Sequence, residues 1–204
     1  MPRPSPGRAH RARRLVGLVL VLLVPLTSAC QPPAEPASSP DRLSRNDAQA
    51  TLASHPVPTR TGIHRVHGRL PVARRKAVRR QVGAVVDRWW EASYLGGSYP
   101  RSRFPAAFPG FTAAAEQRAR ADKALLTNQT GGPRIASVTP RKRRITLDIL
   151  ATGGRARAVT AHFVLAFDTT GPKTGTTTVR GRLFLTHKRG AWRIFGYDVA
   201  KGAR

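Results

Sequence analysis

Between Val72 and Tyr94 the apolar positions fall on one stripe. Val78, Val82, Val85 and Trp89 recur at intervals of four, three and four, and Val86 and Trp90 widen the stripe. That spacing predicts an amphipathic helix from Ala73 to about Tyr94. Arg74, Arg75, Lys76, Arg79, Arg80 and Arg88 mark its wet side, and the glycines after Leu95 end it. Trp90 lies about 100° further round the helix than Trp89, so Trp89 is expected to pack the deeper of the two.

The next stretch, Tyr99 to Phe111, carries Pro100, Pro105 and Pro109, which forbid a long helix. Phe104, Phe108 and Phe111 are expected to dock on the core, because three exposed rings would make an adhesive patch. A second helix is predicted from Thr112 to Leu126, with Thr112 capping its first turn. The period then changes to two. After a short strand at Ile135 to Val138, inward positions follow at Ile145, Leu147 and Ile149, then at Val159, Ala161, Phe163, Leu165 and Phe167. Val179, Leu183 and Leu185 come next, and Trp192, Ile194, Phe195, Tyr197 and Val199 close the chain. Gly153 with Gly154, the run 169–175, and the hairpin 187–190 supply the turns. Helices first and strands afterwards predict an α+β domain, with helices on one face of an antiparallel meander.

Upstream the pattern is different. Five arginines precede an apolar run from Leu15 to Leu26, and Thr27, Ser28 and Ala29 lead directly to Cys30, the one cysteine of the chain. The run has roughly 12 residues against the roughly 20 of a transmembrane helix, so it reads as an export signal over residues 1–29. LTSAC resembles the lipobox of bacterial lipoproteins, although Leu26 stands four places before the cysteine rather than three. The resemblance implies that Cys30 is acylated with palmitate-class chains and holds the protein at the outer face of the cell membrane. Residues 30–72 read as a tether, rich in Pro and Ser at first and basic later, which leaves 73–204 as the folded domain. His64 and His67 fall in that tether, and no carboxylate or cysteine beside them completes a metal-ligand set.

Charge narrows the partners. Lys and Arg number 36 against 10 acidic residues, a formal net charge of +26. A field of that strength gathers polyanions. Behind an export signal the expected neighbours are anionic phospholipid headgroups and acidic wall polymers. The expected contact face combines Arg74, Arg75, Lys76, Arg79 and Arg80 with the cluster Arg141, Lys142, Arg143 and Arg144.

The order of elements carries one further resemblance. An amphipathic first helix with Trp89, Trp90 and Tyr94, a short second helix, and a closing pair of strands with Arg189-Gly190 and Trp192-Arg193-Ile194 resemble the NTF2-like (cystatin-like, SnoaL-like) superfamily. That resemblance implies a cone, with helices packed on a curved antiparallel sheet and Trp89, Trp90, Tyr94, Phe163, Trp192 and Tyr197 lining its pocket or core. Enzymes of the superfamily place an acid and a histidine in the cone mouth, which makes Asp87 and His162 the candidates here. Asp148, Tyr94, Tyr197 and Asp198 are further candidates of that kind, and none of the six falls in a matching motif. No phosphate loop, HExxH or GxSxG is present. The expectation is therefore a non-catalytic envelope lipoprotein domain that binds a protein partner or a small apolar ligand, as an accessory to a membrane transport system. Two alternatives stand beside it: a small enzyme acting on a lipid or polyketide-like substrate, and a conjugation or nucleic-acid-associated envelope factor. No cofactor and no metal is implied.

Overall fold

The structure, a computed structural model, describes residues 57–203. The signal, Cys30 and most of the tether lie outside the described residues.

β1 (Arg60–His67) comes first, followed by α1 (Val72–Trp90), which runs on through a π-helical turn over Glu91–Leu95. Pro71 precedes α1, and Gly97, at φ +82°, lets the chain leave it. α2 (Ala113–Ala121) and α3 (Lys123–Leu126) follow the proline loop. The Thr112 side chain accepts from the Ala115 amide and caps α2. Four strands complete the chain: β2 (Ser137–Thr152), β3 (Arg155–Thr170), β4 (Gly175–Lys188) and β5 (Ala191–Ala203).

The strands form one sheet in the order β1-β2-β3-β4-β5. β2 to β5 pair antiparallel through tight turns, the last of them at Arg189 and Gly190, both with positive φ. β1 pairs with β2 in parallel, Arg60 opposite Arg144 and Ile63 opposite Leu147. Parallel neighbours need a long crossover, and α1 to α3 supply it.

Two corrections follow. The sheet is mixed, not purely antiparallel, and it is open: β1 and β5 stand at its two edges and do not close it into a cone. The fold is α+β, with a five-stranded mixed sheet and helices on one face. The cause of the first correction lies in β1. Its half-buried positions are Thr61, Ile63 and Val66, because a bulge at His64 shifts the register between Ile63 and Arg65. The alternation breaks there, so residues 60–67 look like tether although they belong to the sheet.

The core lies between α1 and the inner face of the sheet. Ile145, Leu147, Ile149, Val159, Ala161, Phe163, Leu165 and Phe167 point inward and are buried. Trp89, Trp90 and Tyr94 are fully buried against them. Phe163 meets both indoles edge-on, with centroids 5.4 Å from Trp89 and 6.0 Å from Trp90. The expectation that Trp89 packs deeper than Trp90 therefore fails. Arg143 lies over the Trp90 ring at 5.9 Å and helps seal it from water. Aromatic side chains occupy the space between α1 and the sheet, Trp89 and Trp90 against Phe163 and Tyr94 against Phe167.

Candidate functional site

The basic residues named from the sequence separate into different environments. Arg74 donates to the Gly154 carbonyl and Arg75 to the Leu70 carbonyl, so both tie α1 to neighbouring turns. Lys76, Arg79 and Arg80 line a shallow cleft of about 530 Å³ that also holds Thr59, Thr61 and Asp87. Arg143 turns inward. Its side chain is 11% exposed and bridges Asp87 at 3.1 Å and Glu91 at 2.7 Å. Thr59 completes this knot, accepting from Arg143 and donating to Asp87. Arg143 is thus a structural ion-pair residue, not part of an outer anion face. Its place on β2 explains this, since it shares the inward parity of Ile145 and Leu147.

Arg144 and Lys142 have the opposite parity and stand on the open face of the sheet. They meet β1 there, in a cleft of about 950 Å³ lined by Arg60, His64, Arg141, Lys142, Arg144 and Thr146. Arg60 and Arg144 are direct cross-strand partners. Neighbouring strands run about 5 Å apart, and like charges directly opposite each other destabilise a sheet. Lys142 adds a third cation roughly 7 Å along the same strand. Among the described residues no carboxylate lies within salt-bridge distance of Arg60, Lys142 or Arg144, while Arg141 reaches Asp168 at 3.3 Å. A side chain at Gly62, on the cleft floor, would meet no atom within 4 Å. The cleft therefore offers an anion open room and unneutralised positive charge.

His64 joins this cleft to a second feature. Asp148 takes one histidine on each carboxylate oxygen, His64 Nδ1 at 2.8 Å and His162 Nε2 at 3.0 Å. Burial pushes the Asp148 carboxyl up, but hydrogen bonds from His64 and His162, and their charge, outweigh it and hold it below the ordinary 3.8. Arg182, paired with Asp198, stands directly across from His162 on β4. His64 keeps the open-face parity of Arg60 and Gly62, which brings its ring to Asp148 on the neighbouring strand.

The two acid–base candidates are not brought together. Asp87 belongs to the knot with Arg143 under α1, whereas His162 stands on the opposite, open face. Tyr197 is half-buried and donates to Asp122, and burial together with that carboxylate raises it to about 12. Tyr94 donates to the Leu125 carbonyl, and its burial also pushes its phenol up. Trp192 is 4% exposed and packs edge-on to His187 at 5.2 Å. Among the described residues no cluster of histidine, cysteine or carboxylate has the arrangement of a metal centre, and no helix is long and apolar enough to cross a membrane.

Arg60 and His64 were not among the residues expected at the site. The usable signal was Ile63 with Val66 beside Thr61, too short and too irregular to read as a strand.

No protein-family model, curated protein or solved structure was found to match the chain.

Proposed function

We propose that this chain is an exported, lipid-anchored, non-catalytic domain that engages anionic groups of the cell envelope through the cleft between β1 and β2. The observation that carries the reading is the pair Arg60 and Arg144, face to face on adjacent strands with Lys142 beside them and no carboxylate to neutralise them. An anion seated there relieves the repulsion and gains hydrogen bonds from two guanidinium forks. A diacylglyceryl group on Cys30 would keep the domain within reach of the surface it binds. The cations of this cleft favour an anionic partner over an apolar ligand.

Co-sedimentation with vesicles tests this on residues 53–204, a compact unit that retains β1. Vesicles rich in phosphatidylglycerol should carry the domain down, and neutral vesicles should not. Arg60→Ala with Arg144→Ala should weaken binding about thirtyfold, at roughly 1 kcal/mol for each exposed cation near an anionic membrane. Arg79→Ala with Arg80→Ala should do less, because those two share their cleft with Asp87. Equal binding to neutral and anionic vesicles would defeat the proposal.

A further inference from the structure

A second basic site lies on the helix side of the sheet, where α1 ceases to cover it. A bulge at Arg157 breaks the alternation of β3 there: Ala156 packs at the rim of the core opposite Ala151, and Arg155 and Arg157 on either side of it are exposed. There they face Arg74 of α1 across a cleft of about 410 Å³, with His187 and Trp192 as the far wall. An adjoining cleft of about 370 Å³ continues past Arg80 and Arg88, and the two share Gln81 and Trp192. No carboxylate lines either cleft.

The track is linear. Arg74, Gln81 and Arg88 are seven residues apart on α1, so they lie on nearly one line along its surface, with about 10 Å between successive members. Ala77 and Ala84 have the same spacing and keep the floor low. The first turn of α1 holds no acid, so the positive end of its dipole adds to the field there rather than cancelling it. A single headgroup would use one end of this track, whereas a chain of phosphates would use its whole length of about 20 Å.

We infer that this groove binds one run of a linear phosphodiester polymer that carries no bases. Arginine forks match phosphate oxygens in pairs. Single-stranded nucleic acid is held largely by bases stacked on open aromatic faces. The groove has no open Phe, Tyr or Trp face, because Trp192 is 4% exposed, and the one exposed ring in its wall is the small imidazole of His187. This site is independent of the cleft between β1 and β2.

The test uses the full chain in detergent micelles, with deacylated poly(glycerol phosphate), an oligothymidylate of equal charge, and inorganic phosphate as probes. The variant replaces Arg74, Arg88, Arg155 and Arg157 with alanine. A control of equal charge replaces the exposed Arg103, Arg120, Lys123 and Arg134. The polymer should bind wild type at least tenfold more tightly than the oligothymidylate does, and inorganic phosphate should bind more weakly than either. The groove variant should lose about tenfold in polymer affinity, while the control variant and the Arg60→Ala, Arg144→Ala pair should keep most of it. The thermal midpoints should agree to within a few degrees across the set, since these side chains are exposed and the groove variant gives up one surface hydrogen bond, from Arg74 to the Gly154 carbonyl. Equal losses in the groove and control variants would reduce the binding to net charge and overturn the site. Oligothymidylate binding as tight as the polymer would overturn the base-free assignment. Neither result would touch the vesicle test of the other cleft.

Discussion

Trp89 and Trp90 sit side by side in the sequence, yet both are fully enclosed, because Phe163 reaches both rings and Arg143 covers the second. Trp89→Ala and Trp90→Ala should each cost about 3–5 kcal/mol in chemical denaturation, with neither clearly milder. Arg143 contributes in a different way. Its guanidinium is nearly buried, but Asp87 and Glu91 remain partly exposed. Arg143→Ala should therefore cost about 2 kcal/mol, between an exposed pair and a fully buried one. Arg143→Lys should recover only part of that, since one ammonium cannot replace the two-pronged contact. Asp148 is best followed by pH. Its folded value is depressed, so the stability it contributes is present above the unfolded carboxylate range and is lost as pH falls through the folded value, below about 3.8. NMR titration of its carboxyl should show that shift, and His64→Gln or His162→Gln should move the carboxyl back up. An unchanged titration in both variants would mean that the histidines do not hold it.

At the scale of elements, β1 tests whether the sheet needs its fifth strand. A chain beginning at Val72 lacks it, uncovers Ile63 and Val66 contacts, and strips hydrogen-bond partners from β2. Such a chain should be at least about 2 kcal/mol less stable than one beginning at Ala53, counting two half-buried aliphatic side chains and the lost ladder. Lys201 on β5 pins α3, donating to the Ala124 and Thr127 carbonyls. Burial, and secondarily Lys173, lower it to about 8 from the ordinary 10.5. Between those values the unfolded chain holds more protons than the folded one, so this group makes stability rise with pH across that window. Lys201→Met should flatten the rise, read as the urea midpoint against pH. The antiparallel strands were legible because Val159 to Phe167 alternate without a break, and α1 because its stripe is regular. β1 was illegible because one bulged residue breaks its period. The site was legible as basic residues but not as a place. Arg143 and Arg144 look alike in the sequence, and only strand parity sends one inward and the other to the open face. Pairing Asp148 with His64 needs a register between strands roughly 80 residues apart, which no local pattern contains.

For the whole molecule, the net charge of +26 makes some attraction to polyanions unavoidable, so the account rests on where that attraction is concentrated. Intact mass of the membrane-extracted protein should show a diacylglyceryl adduct on Cys30, and a mature chain without one would remove the anchor from the proposal. The most direct measurement of the central claim is the salt dependence of vesicle binding by residues 53–204, compared with the Arg60→Ala, Arg144→Ala variant. Binding to anionic vesicles should fall steeply as ionic strength rises from about 0.05 M to about 0.3 M, because the screening length shrinks from roughly 14 Å to roughly 6 Å over that range. The variant should bind more weakly at low salt and respond less steeply, having lost the two cations that face each other without a carboxylate. A variant whose affinity and salt slope both match wild type would contradict the account, for it would mean that the cleft between β1 and β2 takes no part in holding the surface.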